Sequence, residues 1–513
     1  MSPEWKILPF RNANVIVLGL LFCLGISGDV CPRPGSGSVI ETPPEVTSSN
    51  GKLDVEFQFR ASAQPDGRIR YCYIDANGDE SPTLRVRPGD TVILKLKNEL
   101  PPAHAMSGSS TNLHFHGLDI PPKRHQDDVL HTMIEPLDPV FEYRFKIPVD
   151  EPPGLYWYHP HPHGFSEAQV LGGASGALIV EGAEGLPERL LVLRDEDLPA
   201  QHTKTDDDGD AVGKDISVNF VPVRFPLYLP AIMRVEADEK ELWRILNASA
   251  DTYFDLQVIY VENGQRAAQK LQLTAIDGYP VGKRAPKDVT HVLIPPGGRA
   301  EFIITTPRAG AFAQLVSRDY DTGRDGARNP GHVIANIVSK AVPLKDPVSG
   351  ATPAPLPDLS DAVSSRIRKL YFSEDRQDLI DPTKPARYFI TVEGREPAVF
   401  DMHFKEPDIT VQQGAVEDWT IENRANEAHV FHIHQLHFQV IARDGRKVDD
   451  SILRDTIDLP AWDGKSAAYP SVTLRMDFRN PAIVGTFLYH CHILEHEDAG
   501  MMGSIQVVTR THK

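Results

Sequence analysis

The sequence predicts an all-β protein of three consecutive sandwich-like domains, and three observations predict it. Short runs of alternating apolar and polar residues are broken by 43 Pro and 37 Gly in 513 residues, the punctuation of β-sandwiches and barrels. One unit recurs three times. Val86 leads to Asn98 through TVILKLK, Val235 to Asn247 through EKELWRIL, and Val411 to Asn423 through AVEDWTIE, the Asn falling 12 residues after the Val each time. Three such intervals mark one copied supersecondary unit. Length agrees, since about 480 residues beyond the N-terminal segment divide into three at roughly 150 each.

Taken in chain order, residues 1–30 carry Lys6 and Arg11 and then the apolar run VIVLGLLFCLGIS, followed by Ser27 and Gly28. Spanning a bilayer needs about 20 apolar residues, so this shorter run reads as a signal peptide and not a membrane anchor. Neither Val30 before Cys31 nor Phe22 before Cys23 suits lipid attachment, and no twin-arginine pair precedes the run. The protein is therefore expected to be exported, to the periplasm or beyond the cell. The first domain is expected over 31–185 and the second over 186–345, with a less sharp break near 182–187. A Pro-rich linker is expected over 346–365 and the third domain over 366–513. Helices should be few, one of them short and near Ile493 to His496. A net charge of −18 and a pI near 5.5 argue against nucleic acid or anionic membranes as partners. The acidic cluster Asp206 to Asp210 reads as a solvated loop.

Chemistry concentrates in four strings. The C-terminal one is GTFLYHCHILEHEDAGMM, holding His490, Cys491, His492, His496 and Met501. With one further imidazole, Cys491, His496 and Met501 make the ligand set of a blue-copper electron-transfer site. If FLYHCH is a strand, Cys491 points one way and His490 and His492 the other, about 6.7 Å apart. One strand would then feed two metal sites, with a short covalent route between them. The other strings are LHFHG (His114, His116), WYHPHPHG (His159, His161) and HVFHIH (His429, His432, His434). In the last, His432 and His434 share a face and His429 lies opposite, free to complete the Cys491 site. Eight imidazoles remain, enough for three copper ions.

These four strings resemble the copper signatures of the multicopper oxidases, the laccase-like family, over nearly the whole mature chain. The resemblance implies Greek-key cupredoxin barrels and four copper ions, one type 1, one type 2 and two type 3. Carried over by position, it makes His429, Cys491 and His496 type 1 ligands with Met501 axial. His114 and His432 become type 2 ligands; His116, His159, His161, His434, His490 and His492 become type 3 ligands. It implies an oxidase that takes single electrons at type 1 and reduces dioxygen to water at the trinuclear cluster. It also implies carboxylates that supply protons: Glu497, and Asp127 or Asp128, with Asp128 placed slightly ahead.

Gly154-LYWY-His159-Pro160-His161 matches Gly485-TFLY-His490-Cys491-His492 at identical intervals. The first and third domains thus each supply four imidazoles. The cluster should lie between them and type 1 copper within the third; the scattered His202, His291 and His332 give the second no part. One chain holds both halves, so a monomer is expected. Removing the leader removes Cys23; with Cys491 on copper, Cys31 and Cys72 remain as an expected disulfide. His163 reads as a ring-supporting or surface residue, as do His104, His125, His131, His403 and His437. Met502 yields to Met501 by spacing, Trp157 and Trp419 read as core, and the Asn247-Ala-Ser249 acceptor reads as structural.

Phenols or aromatic amines are the expected reductants, oxidised through an exposed histidine edge at type 1. The alternative is a metal ion: Fe(II), Mn(II) or Cu(I). Eight Met, unclustered beyond Met501–Met502, count against a Cu(I) specialist, because soft thioethers suit that ion. Nitrite reduction, copper storage and a non-catalytic envelope role rank lower.

Overall fold

The computed structural model describes residues 30–102, 109–182, 185–196, 198, 213–262, 264–281, 287–340, 359–379, 381 and 384–509. The expected leader up to residue 29, most of the expected linker, the Asp206–Asp210 cluster, His104 and His202 lie outside them. Six sheets form three face-to-face pairs among the described residues.

The threefold repeat is a repeat of topology. Each recurring strand, Thr91–Asn98, Lys240–Asn247 or Val416–Asn423, is flanked the same way. A parallel partner lies on one side (Lys52–Ala63, Glu188–Glu196, Arg366–Asp375). An antiparallel one lies on the other (Phe141–Lys146, Arg299–Thr305, Ser471–Asp477). Parallel neighbours cannot be joined by a hairpin, so the chain crosses to the facing sheet between them. The terminal asparagines explain why the repeat needs Asn. All three are buried, and each donates twice to backbone carbonyls of the following loops: Asn98 to Ser109 and Ile134, Asn247 to Thr252 and Ile294, Asn423 to Glu427 and Pro460. Each also accepts the amide two residues on. An aspartate could accept but not donate. Asn247 is therefore committed to the interior and closed to glycosylation.

Alternating burial along these strands fills three cores. The first gathers Phe57, Phe59, Tyr73, Tyr143 and Tyr158, the second Trp243, Phe254 and Phe302, the third Trp419, Phe431, Tyr489 and Cys491. Trp243 and Trp419 repeat one device: each indole N–H donates to a glutamate two residues earlier (Glu241, Glu417), itself clamped by an arginine on the parallel strand (Arg189, Arg368).

Two short helices, Ser166–Leu171 and Leu494–Asp498, meet between the first and third domains. The latter sits one residue beyond the sequence expectation. Ser166–Leu171 has no cap from its own chain neighbourhood; instead the Asp498 carboxylate accepts the amides of Gly164, Ser166 and Glu167 at 2.9, 3.2 and 2.8 Å. An acid at a helix N-terminus satisfies orphan donors and the helix dipole, and here it joins two domains. No described helix is long and apolar enough to cross a membrane.

Cys31 and Cys72 are disulfide-bonded, Cα–Cα 6.1 Å, 41 residues apart. The bond ties the N-terminal arm to the strand Ile69–Asp75. Beside it, Phe220 lies between the guanidiniums of Arg33 and Arg194, each 4.0 Å from its ring centre. For a bridge of this separation, the paired change of Cys31 and Cys72 to Ser is expected to cost about 2–4 kcal/mol. Equilibrium urea unfolding measures this; an unshifted midpoint would contradict a structural bond.

Candidate metal centres

The strand Gly485–Cys491 runs beside His429–Ile433, with Phe431 opposite Cys491 and His432 opposite His490. Strand alternation turns Cys491 into the third core and His490 and His492 outward. Two buried sites result, one on each side.

On the core side, His429, Cys491 and His496 converge. Each imidazole Nδ1 is 3.7 Å from Cys491 Sγ, and the two Nδ1 atoms are 3.2 Å apart. Met501 lies fully buried in the same core. Its carbonyl accepts the Cys491 amide at 3.1 Å, and its amide donates to the His496 carbonyl at 2.8 Å. The loop from Cys491 to Met501 is thus closed on itself. Burial pushes the Cys491 thiol up, but hydrogen bonds and charge from His429 and His496 outweigh it and bring it down to about 6. A thiolate is the metal-binding form.

On the other side eight imidazoles meet, all between fully buried and 2% exposed. His161, His434 and His490 form one trio, with Nε2 of His490 3.4 Å from that of His161 and 3.2 Å from that of His434. His116, His159 and His492 form a second; His114 and His432 group with His116. His114 stacks on His434, and His116 on His432, with ring centres 3.9 Å apart in both pairs. Burial, then the neighbouring imidazoles, holds His159, His161, His434 and His490 well below the usual histidine range. They are neutral, each with a lone pair to offer.

These rings fit a metal. Nδ1 of His114 pairs with Asp127 at 3.0 Å, that of His159 with the Pro160 carbonyl at 3.0 Å, and that of His432 with the Asp455 carbonyl at 2.9 Å. The Nε2 of all three is buried without a partner. One nitrogen held and the other bare is the arrangement of a metal-ligating histidine. Trp157, expected as core, stacks on His159 with ring centres 4.1 Å apart.

Of the two candidate aspartates, the structure brings Asp127 to the site. It is buried, its carboxylate holds His114 and accepts the Phe115 amide at 2.9 Å and the Gln435 side chain. Asp128 is the correction: it faces away and pairs at 2.9 Å with His131, whose side chain is 74% exposed. The Phe115 amide helps hold the first of the two carboxylates at the site. Glu497 is fully buried, 3.1 Å from Nδ1 of His490 and 3.5 Å from that of His161. Burial, reinforced by the Asp498 charge, holds its carboxyl well above the usual range.

Three features escaped the sequence. Asp455 accepts from His116 Nε2 at 3.0 Å and is clamped by Arg299 of the middle domain at 2.8 and 2.7 Å. His437 lies 3.3 Å from Asp455 and 3.4 Å from Asp119. Among the described residues it alone of the histidines expected as ring-supporting or surface joins the network; His125, His131 and His403 are exposed, and His163 packs its edge on Phe400. The third feature corrects the expected exposed edge at type 1. His429 is fully buried and His496 is 2% exposed. Their Nε2 atoms meet Glu374 at 3.0 Å and Glu427 at 3.4 Å, and Tyr388 stacks on His496 at 4.1 Å. Burial pushes the Glu374 carboxyl up, but the His429 hydrogen bond and charge outweigh it, and it is lowered.

Two multicopper oxidase family models match residues 61–185 and 372–511. The chain is 28% identical over 444 residues to the multicopper oxidase mco of Staphylococcus haemolyticus, covering 83% of this chain and 81% of that one. It is 24% identical over 513 residues to the iron transport multicopper oxidase FET3 of Gibberella zeae, covering 90% and 77%. The solved multicopper oxidase of Campylobacter jejuni, titled a metallo-oxidase, superposes with a TM-score of 0.69 at 24% identity over 93% of this chain and 96% of that one, which gives the three cupredoxin-like barrels their fold. The chain belongs to the multicopper oxidase family, copper enzymes that use dioxygen.

Proposed function

We propose that this protein binds four copper ions and couples oxidation of a cationic metal reductant, such as Fe(II) or Mn(II), to reduction of dioxygen to water. The observation that carries the reading is the strand through His490, Cys491 and His492, which serves two buried donor sets at once. His429, Cys491, His496 and Met501 would hold type 1 copper; His114 and His432 would hold type 2. His161, His434 and His490 would hold one type 3 ion, and His116, His159 and His492 the other. Bound there, copper supplies one-electron transfer at type 1 and dioxygen reduction at the trinuclear cluster.

The chain's own residues supply the rest. Cys491 links the sites through its backbone, and its carbonyl also accepts from His490 Nδ1 at 2.9 Å, a second short route between them. Burial excludes water from both sites. Glu497, beside His161 and His490, and Asp127, beside His114, are the proton-handling groups, with Glu497 kept protonated by its surroundings. Asp498 holds the helix Ser166–Leu171 against this corner.

The reductant is read from the way out of the type 1 site. Tyr388 and Phe372 pack on the rings of His496 and His429, and both imidazoles are buried, so among the described residues neither offers an open edge to a phenol. Carboxylates cover both Nε2 atoms, and the Glu427 side chain remains 11% exposed. Oxygen ligands suit hard cations better than soft ones, which favours Fe(II) or Mn(II) over Cu(I). Relatives named for iron transport and for laccase both occur in the family, so phenols and aromatic amines stand as the second reading. The disulfide supports an oxidising compartment, hence export, and one chain holding every donor supports a monomer.

Oxygen uptake with Fe(II), Mn(II), Cu(I) and a phenol in parallel tests the ranking. Fe(II) or Mn(II) should drive uptake, and Glu427→Gln or Glu374→Gln should cut kcat/KM for that ion about tenfold while sparing a phenol, since each removes a negative charge from the entry. Phenol turnover with all three ions inert would reverse the order. Separately, Cys491→Ser should abolish the blue thiolate absorption and substrate oxidation yet leave the type 3 site loadable. Loss of all copper from that variant would contradict two sites on one strand.

A further inference from the structure

Among the described residues the middle domain supplies no histidine to either site, yet its backbone and one arginine reach the trinuclear cluster. Gly297 approaches so closely that a Cβ there would stand 2.6 Å from His492 Nε2. Two residues on, Arg299 is fully buried with every donor engaged. Its Nε donates to the Leu155 carbonyl at 3.3 Å. Nη1 donates to the Gly297 carbonyl at 3.2 Å and to Asp455 at 2.8 Å. Nη2 donates to the Asp277 carbonyl at 3.0 Å and to Asp455 at 2.7 Å. Asp277 accepts the Arg299 amide at 2.8 Å and the Thr456 amide at 3.2 Å. Parts of all three domains are pinned at this point.

Asp455 is the partner that matters, because His116 differs from its neighbours. His114, His159, His432 and His490 are held at Nδ1. His116 is held at Nε2 by Asp455, and its Nδ1 is buried without a partner. The nitrogen a ligating imidazole presents is set by the hydrogen bond its other nitrogen makes. Asp455 therefore decides which atom of His116 faces the cluster, and the planar fork of Arg299 decides where the Asp455 carboxylate stands. Space is already spent: at Gly117, φ +91°, a Cβ would lie 2.3 Å from Arg299 Nη2 and 2.9 Å from Asp455.

We propose that Arg299 is a positioning residue which, through Asp455, presents Nδ1 of His116 to the trinuclear site, so that the copper-free middle domain shapes a centre it does not ligate. The inference rests on the copper reading above. Without the guanidinium, Asp455 keeps neither its clamp nor its main counter-charge, and the His116 ring loses its fixed acceptor. Lysine would restore charge without the fork, and so would not restore geometry.

The test compares copper-loaded wild type, Arg299→Gln, Arg299→Lys and Asp455→Asn, with Arg244→Gln as a control. Arg244 is equally buried in the middle domain but pairs with Glu188 and Glu301 instead of Asp455. In the first three variants, blue type 1 absorption per chain should persist. Copper affinity at the trinuclear site should fall about 10–100-fold, with matching loss of the type 2 paramagnetic signal and the type 3 absorption. Arg244→Gln should keep all of these. Full trinuclear copper with an unaltered type 2 signal in Arg299→Gln would overturn the proposal, as would loss of both sites in parallel. Should these variants fail to fold, histidine-selective nitrogen NMR of the copper-free wild type decides: His116 must carry its proton on Nε2, and a proton on Nδ1 would overturn it. Wild type without trinuclear copper would instead sink the copper reading itself.

Discussion

Everything at the heart of this molecule depends on the twofold alternation of one extended segment. In Gly485–Cys491 and the residue after it, consecutive side chains leave the backbone on opposite faces. A thiol in the third core and two imidazoles at a domain boundary can then be immediate neighbours in sequence. A helix at this point would fan the three side chains around one axis and lose the pairing. The strand is held in extension from both sides, by His429–Ile433 and by Met502–Val508. The fold is thus a device for keeping three residues flat.

Much of the site was legible because its grammar is local. His-x-His on a strand places two rings on one face wherever it occurs, and the odd spacing from His429 to His432 sends the former to the other side. The threefold Val-to-Asn interval was legible for the same reason, since the Asn is needed two residues from the amide it accepts. What stayed hidden depends on distance or on fine choices. Asp127 and Asp128 are indistinguishable in sequence; contacts of the former with His114, the Phe115 amide and Gln435 separate them. Arg299 and Asp455 are 156 residues apart, and no spacing rule links them. Glu374 and Glu427 occupy separate segments, and each looks like an ordinary strand or loop acid. A hint did exist for Arg299: a charged residue directly after Pro-Pro-Gly-Gly, at the start of a mostly apolar strand, needs a buried partner.

From motifs alone the natural picture is an imidazole edge open to any reducing ring. The structure places a carboxylate at each outer nitrogen and a tyrosine face over His496. Negative charge set against two imidazoles attracts cations and repels phenolates. On the proposed reading, specificity is set by what lies one residue further out than the donors themselves.

Pro160 gives the comparison of the two outer domains a meaning. It stands where Cys491 stands, between His159 and His161. By the same alignment of intervals, Thr111 stands where His429 does, and its hydroxyl donates to Gln169 at 2.9 Å. Two architectures descended from one plan thus face each other across the histidines, but only one has a conductor behind it. On the proposed reading, reducing equivalents would have a single door, through the third domain, while the first contributes rings and a carboxylate but no second door.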